Sequence, residues 1–391
     1  MRLKSLEYVE HAGESQEWTL TGLTLGDINL LVGKNASGKS RILNIIHHLS
    51  ESIAGVLVQT PSGMVEQRQL FNGKSHLVFD NDGERLEYQL EVQDGKVIQE
   101  SFKKNGEPLL ERSTGGKGFI WAIREEKRIE FQTPDDQLAV VTRRDSIQHI
   151  YFEPLHQWAK SLYHYAFSSL LGKDSIFVFF KSNDQKADIL NAKDTSQVVA
   201  IFRQGKENFG EQYIEAVKKD FETIGYPIDK IDIGAPQSFK IRQMPGEVSV
   251  MYVKETDLPG ITDQQAMSNG MFRALSIIIQ VNYAVLADTP SCILIDDIGE
   301  GLDFERSCDL IDILISKAQN SSVQLLMATN DRFVMNRVPL ETWSILDRQA
   351  NHVFVRNYLN SKGIFDSFKF TGLNNFDFLA FDYLHTGMKD E

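Results

Sequence analysis

INLLVGKNASGKSRILNIIHHL, residues Ile28 to Leu49, runs an apolar segment of strand length into a glycine-rich turn and then into apolar residues at helical spacing. The turn, Gly33 to Ser40, fits the pattern G-x-x-x-x-G-K-[ST] in the strand-to-helix setting that the pattern requires. Gly33 and Gly38 let the backbone curl, so that the amides across Lys34, Asn35, Ala36 and Ser37 can point inward at phosphate oxygens. The helix that opens at Lys39, Ser40 and Arg41 adds its own unpaired amides and a positive dipole end. Lys39 would reach the β- and γ-phosphates and the Ser40 hydroxyl would ligate Mg²⁺. The chemistry this predicts is binding of ATP with Mg²⁺.

A phosphate cradle of this kind needs a carboxylate at the end of a neighbouring buried strand. CILIDDIGEGLD, Cys292 to Asp303, supplies one. A charge at the edge of a core is costly unless a cation or partner faces it. Asp296 is therefore expected to orient the metal, and Asp297 to polarise an attacking water as general base. Asp303, followed by Phe304–Glu305–Arg306–Ser307, reads as a helix N-cap.

Outward from these two stretches the chain looks like a soluble globular protein. It has 391 residues, 42% hydrophobic and 24% charged, enough for a substantial core. Net charge is −13, which weighs against a nucleic-acid coat. The basic clusters at Lys103, Arg124 to Arg128 and Arg143 are isolated or interrupted by acids and read as solvated surface. Cys292 and Cys308 form no paired metal spacing, and a reducing cytoplasm is expected. No apolar run approaches the ~20 residues that span a bilayer, and the N-terminus lacks a signal-peptide core.

The fold class expected is α/β, in four segments. Residues 1–54 hold short strands, the cradle and its helix. Residues 55–148 carry repeated turn signals (NDGE, QDGK, KNGE, TGGKG) between short alternating runs, the pattern of an antiparallel β lobe. Residues 149–258 read as a mainly helical insertion, including aromatic-rich PLHQWAKSLYHYAFSSLL, with a return to strands at KIRQMPGEVSVMYVKE. Residues 259–391 alternate helix and buried strand, as a parallel sheet with crossovers does, and end in a C-terminal tail. Tyr8 reads as a packed aromatic of an edge strand rather than a platform for adenine.

MSNGMFRALS, Met267 to Ser276, lies before the acidic strand and opens a long helix. Here the sequence resembles the ABC-type ATPases, whose signature is close to S-x-G-x-x-R; Ser268, Asn269, Gly270 and Arg273 are the matching positions. DDIGEGLD likewise resembles that superfamily's acidic strand running into its D-loop, closing at Leu302 and Asp303. The resemblance implies two heads meeting face to face, with Ser268, Asn269, Gly270 and Asp303 completing the ATP site of a second copy. It also implies a Mg²⁺-sensing glutamine, for which Gln137 is the candidate. Two positions depart from the pattern. The superfamily's catalytic glutamate is Asp297, shorter by one methylene or ~1.5 Å of reach. Its switch histidine is Asn330, which can hydrogen-bond but cannot take up a proton near neutral pH. Both changes point to slow hydrolysis, for which Asp331 or Glu300 could compensate.

The long insertion after the cradle, with no membrane segment and no coiled-coil arm, is similar to stand-alone ATPases of the RecF and overcoming-lysogenization-defect (OLD) kind. The opening and the tail FKFTGLNNFDFLAFDYL resemble small ATPases paired with bacterial phage-defence effectors; too little chain follows Asp331 for a Toprim nuclease domain. The expected partners are a second copy and a protein effector or toxin, with no membrane. The alternatives are a RecF-like DNA-associated repair ATPase and a non-hydrolysing ATP-locked scaffold.

Overall fold

The computed structural model describes residues 1–59, 65–67, 70–167, 169, 171–174, 177–179, 195–238, 247–288 and 291–386. They form two compact units, Met1–Leu162 with Pro339–Glu391, and Tyr163–Val338. The fold is α/β throughout, as expected.

The first unit is built on one large sheet. The strand Ile28–Val32 pairs in parallel with Trp343–Gln349, which turns back antiparallel as His352–Asn357. That strand lies parallel to Trp18–Thr24, and Trp18–Thr24 pairs antiparallel with Arg2–Glu10. From Arg2–Glu10 the sheet continues as an antiparallel meander through Gly73–Asn81, Glu84–Gln93, Lys96–Lys104, Glu107–Arg112, Lys117–Ala122 and Lys127–Gln132. The turn signals read in the sequence account for this meander. Asp82–Gly83, Asp94–Gly95 and Asn105–Gly106 all have positive φ at both positions, the twist that two-residue hairpins need. In Glu84–Gln93 the side chains of Leu86, Tyr88, Leu90 and Val92 alternate inward.

The cradle helix, Lys39–Ala54, buries Ile42, Leu43, Ile46 and Ile53. Helix Glu153–Lys160 sets Trp158 edge-on to Phe79, with ring centroids 4.8 Å apart. The C-terminal helices Lys362–Lys369, Asn375–Ala380 and Tyr383–Thr386 share an aromatic core of Phe365, Phe368, Phe378 and Tyr383. The aromatic-rich stretch expected to be helical divides instead. After Lys160 the chain becomes the strand Leu162–Ala166, which adds to the sheet beside Ser291–Asp296. The i, i+3 spacing of the buried Leu162 and Tyr165 would suit a helix equally, so strand pairing and not burial pattern decides the conformation.

The second unit carries two parallel strands, Ser291–Asp296 and Val323–Ala328, buried at every position. This is what continuous apolar runs between amphipathic helices predict. Flanking helices are Asn269–Leu286 and Phe304–Gln319. The insertion contributes helix Val198–Thr223, broken at Gly210, and a small sheet in which Glu247–Glu255 pairs with Phe177–Phe179 and Ile228–Gly234. Residues 180–194 and 240–246, parts of the expected insertion, lie outside the described residues. One polar knot ties three helices together. Asp220 accepts from Asn282 (2.7 Å) and Lys317 (2.8 Å), and Lys317 also donates to Asn282 (2.8 Å). Among the described residues no helix is long and apolar enough to cross a membrane.

The β lobe closes on a buried ion pair. Glu100 and Arg112 are fully buried and 3.3 Å apart. Arg112 also donates to the carbonyls of Gln137 (2.6 Å), Pro134 (2.7 Å) and Thr133 (3.2 Å). Glu100 accepts from the amides of Ala139 (2.8 Å) and Val140 (3.0 Å), although burial pushes its carboxyl pKa upward. The pair therefore fastens residues 133–140 to the sheet. Replacing Arg112 by Met should strand the carboxylate and destabilise the protein by about 3–5 kcal/mol, measured by denaturant unfolding.

Candidate functional site

In the first unit the turn after Val32 has the cradle shape the sequence implies. Gly38 sits at φ 109°, outside the range of ordinary side chains, and Ala36 adopts the left-handed region at φ 61°. A Cβ at Gly38 would lie 3.2 Å from the Trp18 ring, and one at Gly33 would lie 2.7 Å from the Ser37 hydroxyl. Lys34, Asn35, Ala36, Ser40 and Arg41 are exposed. The Ser37 hydroxyl is buried and has no hydrogen-bond partner among the described residues. Lys39 is buried; its ammonium donates to the Gly33 carbonyl at 3.0 Å and the Lys34 carbonyl at 3.5 Å.

Two neighbours of the cradle were not legible in its motif. Trp18 packs on Gly38 and carries the Arg41 guanidinium 4.3 Å from its ring centre, while Arg41 also pairs with Glu10. On the cradle's outer side lies a cavity of ≈ 390 Å³, lined by Gly33 to Ser37 and by Asp347, Phe378 and His385. Lys34 pairs with Asp382 at 3.7 Å, and Arg348 donates to the Ala36 carbonyl. Tyr8 is packed as expected, but its strand Arg2–Glu10 is paired on both sides and is not an edge strand; the hydroxyl donates to the Asn72 carbonyl at 2.9 Å. The Gln137 backbone carbonyl belongs to the Arg112 knot described above, and its side chain is partly exposed.

The second unit gathers the remaining candidates. Asp296 ends its strand 8% exposed, and its carboxylate Oδ1 has no hydrogen-bond partner among the described residues. Its backbone carbonyl accepts from the Phe167 amide at 2.9 Å. A buried, unpaired carboxylate oxygen suits a hard cation such as Mg²⁺, which takes oxygen ligands. Among the described residues no cluster of His, Cys, Asp or Glu forms a metal site by itself. Asp297 turns into the left-handed region at φ 54°. The Ile298 amide then returns to the Ala328 carbonyl at 3.0 Å.

Ser268 caps helix Asn269–Leu286, accepting from the Met271 amide at 3.2 Å, which leaves its own hydroxyl proton available to donate. Asn269 accepts from Lys173 at 2.9 Å. Gly270 has a steric reason: a Cβ there would stand 2.4 Å from the Gly301 carbonyl oxygen. Arg273 donates to the carbonyls of Glu300 (3.2 Å) and Ser169 (2.9 Å). The helix start and the loop after the acidic strand are thus locked together. Asp303 caps helix Phe304–Gln319 by accepting from the Arg306 amide at 3.0 Å, as its sequence context implies, and also pairs with the Arg306 side chain. Asn330 is exposed. Asp331 caps the helix Arg332–Arg337, its Oδ1 accepting from the amides of Phe333 (2.6 Å) and Val334 (3.3 Å).

A P-loop α/β protein is the class that this fold and cradle define. The chain belongs to the family described as AAA domain, putative AbiEii toxin, Type IV TA system, whose model matches residues 28–336. Among solved structures it is similar to an Smc head bound to the C-winged helix domain of ScpA, at 14% identity and TM-score 0.48 over 91% of this chain and 97% of that one. It is also similar to the SMC head domain from Thermotoga maritima, at 14% identity and TM-score 0.43 over 91% of this chain and 99% of that one. No curated protein matches.

Two outcomes test this geometry. Gly270→Ala should force the Gly301 loop to move and cost about 1–3 kcal/mol, seen as a lower unfolding midpoint. The second concerns the wall of the outer cavity. His385 is hydrogen-bonded to Asp382 at 2.8 Å and faces Asp347 at 3.4 Å, which raises its pKa above the usual 6.5. The Asp382 pKa is lowered by the same hydrogen bond and by Lys34. The histidine's contribution is complete below 6.5 and is lost as pH rises through its raised value; the carboxylate's is lost only in acid, below 3.8. The contribution of His385 to amide-exchange protection of residues 375–386 should therefore fall as pH rises above 6.5, and His385→Gln should abolish that dependence.

Proposed function

We propose that the protein is a slowly hydrolysing ATPase of the ABC type, whose ATP-dependent pairing of two copies controls a partner protein. The observation that carries this reading is the locked pair of Gly270 and Gly301. With Arg273 on the Glu300 carbonyl, it presents an exposed Ser268 at a helix N-terminus beside the loop that follows the acidic strand. A helix start that offers amides and a free hydroxyl proton is suited to an anion. In this reading Gly33 to Arg41 hold the phosphates of ATP in one copy. Ser268, Asn269, Gly270 and Asp303 of another copy close over the γ-phosphate. Ser40 and Asp296 hold Mg²⁺, which neutralises phosphate charge when bound, with Gln137 as a water-linked neighbour. Asp297 takes the proton of the attacking water, and Asn330 orients that water by hydrogen bonding. The shorter Asp297 and the proton-inert Asn330 both argue for slow turnover.

The further reading is a stand-alone ATPase of the RecF and OLD kind in bacterial phage defence, acting in the cytoplasm on an effector or toxin. The family's description, with its putative toxin and Type IV TA system, supports the partner's class. The charge of −13 disfavours a DNA-repair role. An ATP-locked scaffold that never hydrolyses is the second reading, favoured by Asp297 and Asn330.

Phosphate release with ATP and Mg²⁺ tests both. Slow release that disappears in Lys39→Ala is the expected result, and Asp297→Glu should raise it by about tenfold. Brisk turnover by the protein alone would overturn the slow-switch reading, and bound ATP without release would favour the scaffold. Release unaffected by Lys39→Ala would remove the cradle from the chemistry.

A further inference from the structure

The large sheet of the first unit ends at Lys127–Gln132, which among the described residues is paired on one side only, to Lys117–Ala122. The register shows which backbone groups face the open side. The Thr133 amide donates to the Gly116 carbonyl at 2.9 Å. Counting in twos from that pair, the amides and carbonyls of Phe131, Ile129 and Lys127 point at Lys117–Ala122. Those of Gln132, Glu130 and Arg128 point outward. Arg143 donates to the Gln132 carbonyl and closes that end of the edge. The stretch left open runs from Lys127 to Phe131, and its middle residue is Ile129.

A row of apolar side chains also stops at Ile129. Leu77, Tyr88, Phe102, Leu110 and Ile120 stand opposite one another across successive strands, each at most 2% exposed. Ile129, opposite Ile120, is 37% exposed. Two more exposed isoleucines lie at the hairpin end of the strand. They are Ile123, whose amide donates to the Gln148 carbonyl at 3.2 Å, and Ile147 beside that glutamine. On the other face of the strand Arg128 and Glu130 are exposed, with the guanidinium 4.3 Å from the Phe119 ring centre.

We propose that this edge pairs with the same edge of a second copy of the chain, antiparallel about a twofold axis through Ile129. The order of the residues favours a copy over any other strand. About that axis Arg128 lies opposite Glu130 of the second copy, and Glu130 opposite its Arg128. These are the outward-facing residues, so each such pair exchanges both backbone hydrogen bonds while its side chains carry opposite charge. Ile129 meets Ile129 in the closer, non-hydrogen-bonded position, and the apolar row runs on from one sheet into the next. Charges guard an edge strand when an incoming strand meets them with the same sign. Here a second copy brings the opposite sign at each place. The contact is closed and self-complementary. It uses no residue of the cradle or of the loop at Gly270 and Gly301, so it needs no nucleotide and is distinct from the ATP-dependent pairing proposed above.

Sedimentation velocity of the full chain tests it, without nucleotide and in the Lys39→Ala background, so that ATP-dependent pairing does not contribute. Association should be concentration-dependent in the micromolar range, as a short ladder implies. Glu130→Arg sets like charges opposite one another and should raise the dissociation constant by about tenfold or more. Glu130→Pro removes an outward amide, which an edge strand tolerates, and should weaken association as much. Arg128→Glu together with Glu130→Arg restores opposite charges and should restore association, a rescue that a misfolded strand would not give. Ile129→Cys should form a disulfide between copies on mild oxidation, since a non-hydrogen-bonded pair sets its Cα atoms about 4.5 Å apart, and adding Glu130→Arg should suppress it. A chain that stays monomeric at about 100 μM overturns the proposal. So does association untouched by Glu130→Arg and Glu130→Pro, which would place the contact elsewhere, or an edge that takes a strand of a different protein and never its own copy. None of these results bears on the cradle reading.

Discussion

No side chain fits at two positions of the turn between Val32 and Lys39, and most of the first unit is arranged around that constraint. Gly33 is closed in by Ser37 and Leu346, and Gly38 by Trp18 and Val353. Backbone must therefore pass where side chains would collide, and a backbone so exposed to its neighbours turns its amides toward an external acceptor. The strands that bring in Trp18, Leu346 and Val353 come from both ends of the chain. They hold the curl from outside, as the buried strand and the cradle helix hold it from within.

The second unit solves a similar problem with two further glycines. Gly270 stands so close to the Gly301 carbonyl that it tolerates no Cβ, while Gly301 sits at φ 81° beside the Arg273 guanidinium, which donates to the carbonyls of Glu300 and Ser169. Rigidity there has chemical value, since an anion-binding helix start is useful only when held at a set angle to its loop. The acidic strand differs. Its Asp296 leaves one carboxylate oxygen buried without a partner, a costly arrangement that a bound cation relieves. In the proposed reading, slow hydrolysis follows from the short reach of Asp297 and from Asn330, which has no titratable proton near neutral pH.

Much of this was legible in the sequence, and for local reasons. The positive-φ turns at Asp82–Gly83, Asp94–Gly95 and Asn105–Gly106 follow from residues that tolerate such backbone, and they dictate the meander. Asp303 could be read as a cap from the helix pattern that follows it, and the buried strand Ser291–Asp296 from its unbroken apolar run. Leu162–Ala166 reads as helix from its residues because aromatic residues suit both states, and only pairing beside Ser291–Asp296 distinguishes them.

What the chain by itself determined is the kind of backbone each segment can adopt and the chemistry its motifs can perform, since φ/ψ preference and charge are properties of residues and near neighbours. The tertiary structure decided which distant groups meet. Trp18 under Gly38, Arg112 on the carbonyls of Thr133, Pro134 and Gln137, Asp382 beside Lys34, and the flat contact of Phe71 on His48 all join residues with no periodic relation. Such pairings depend on how the strands and helices pack, and packing selects among many partners of similar polarity by shape, which a linear sequence does not display.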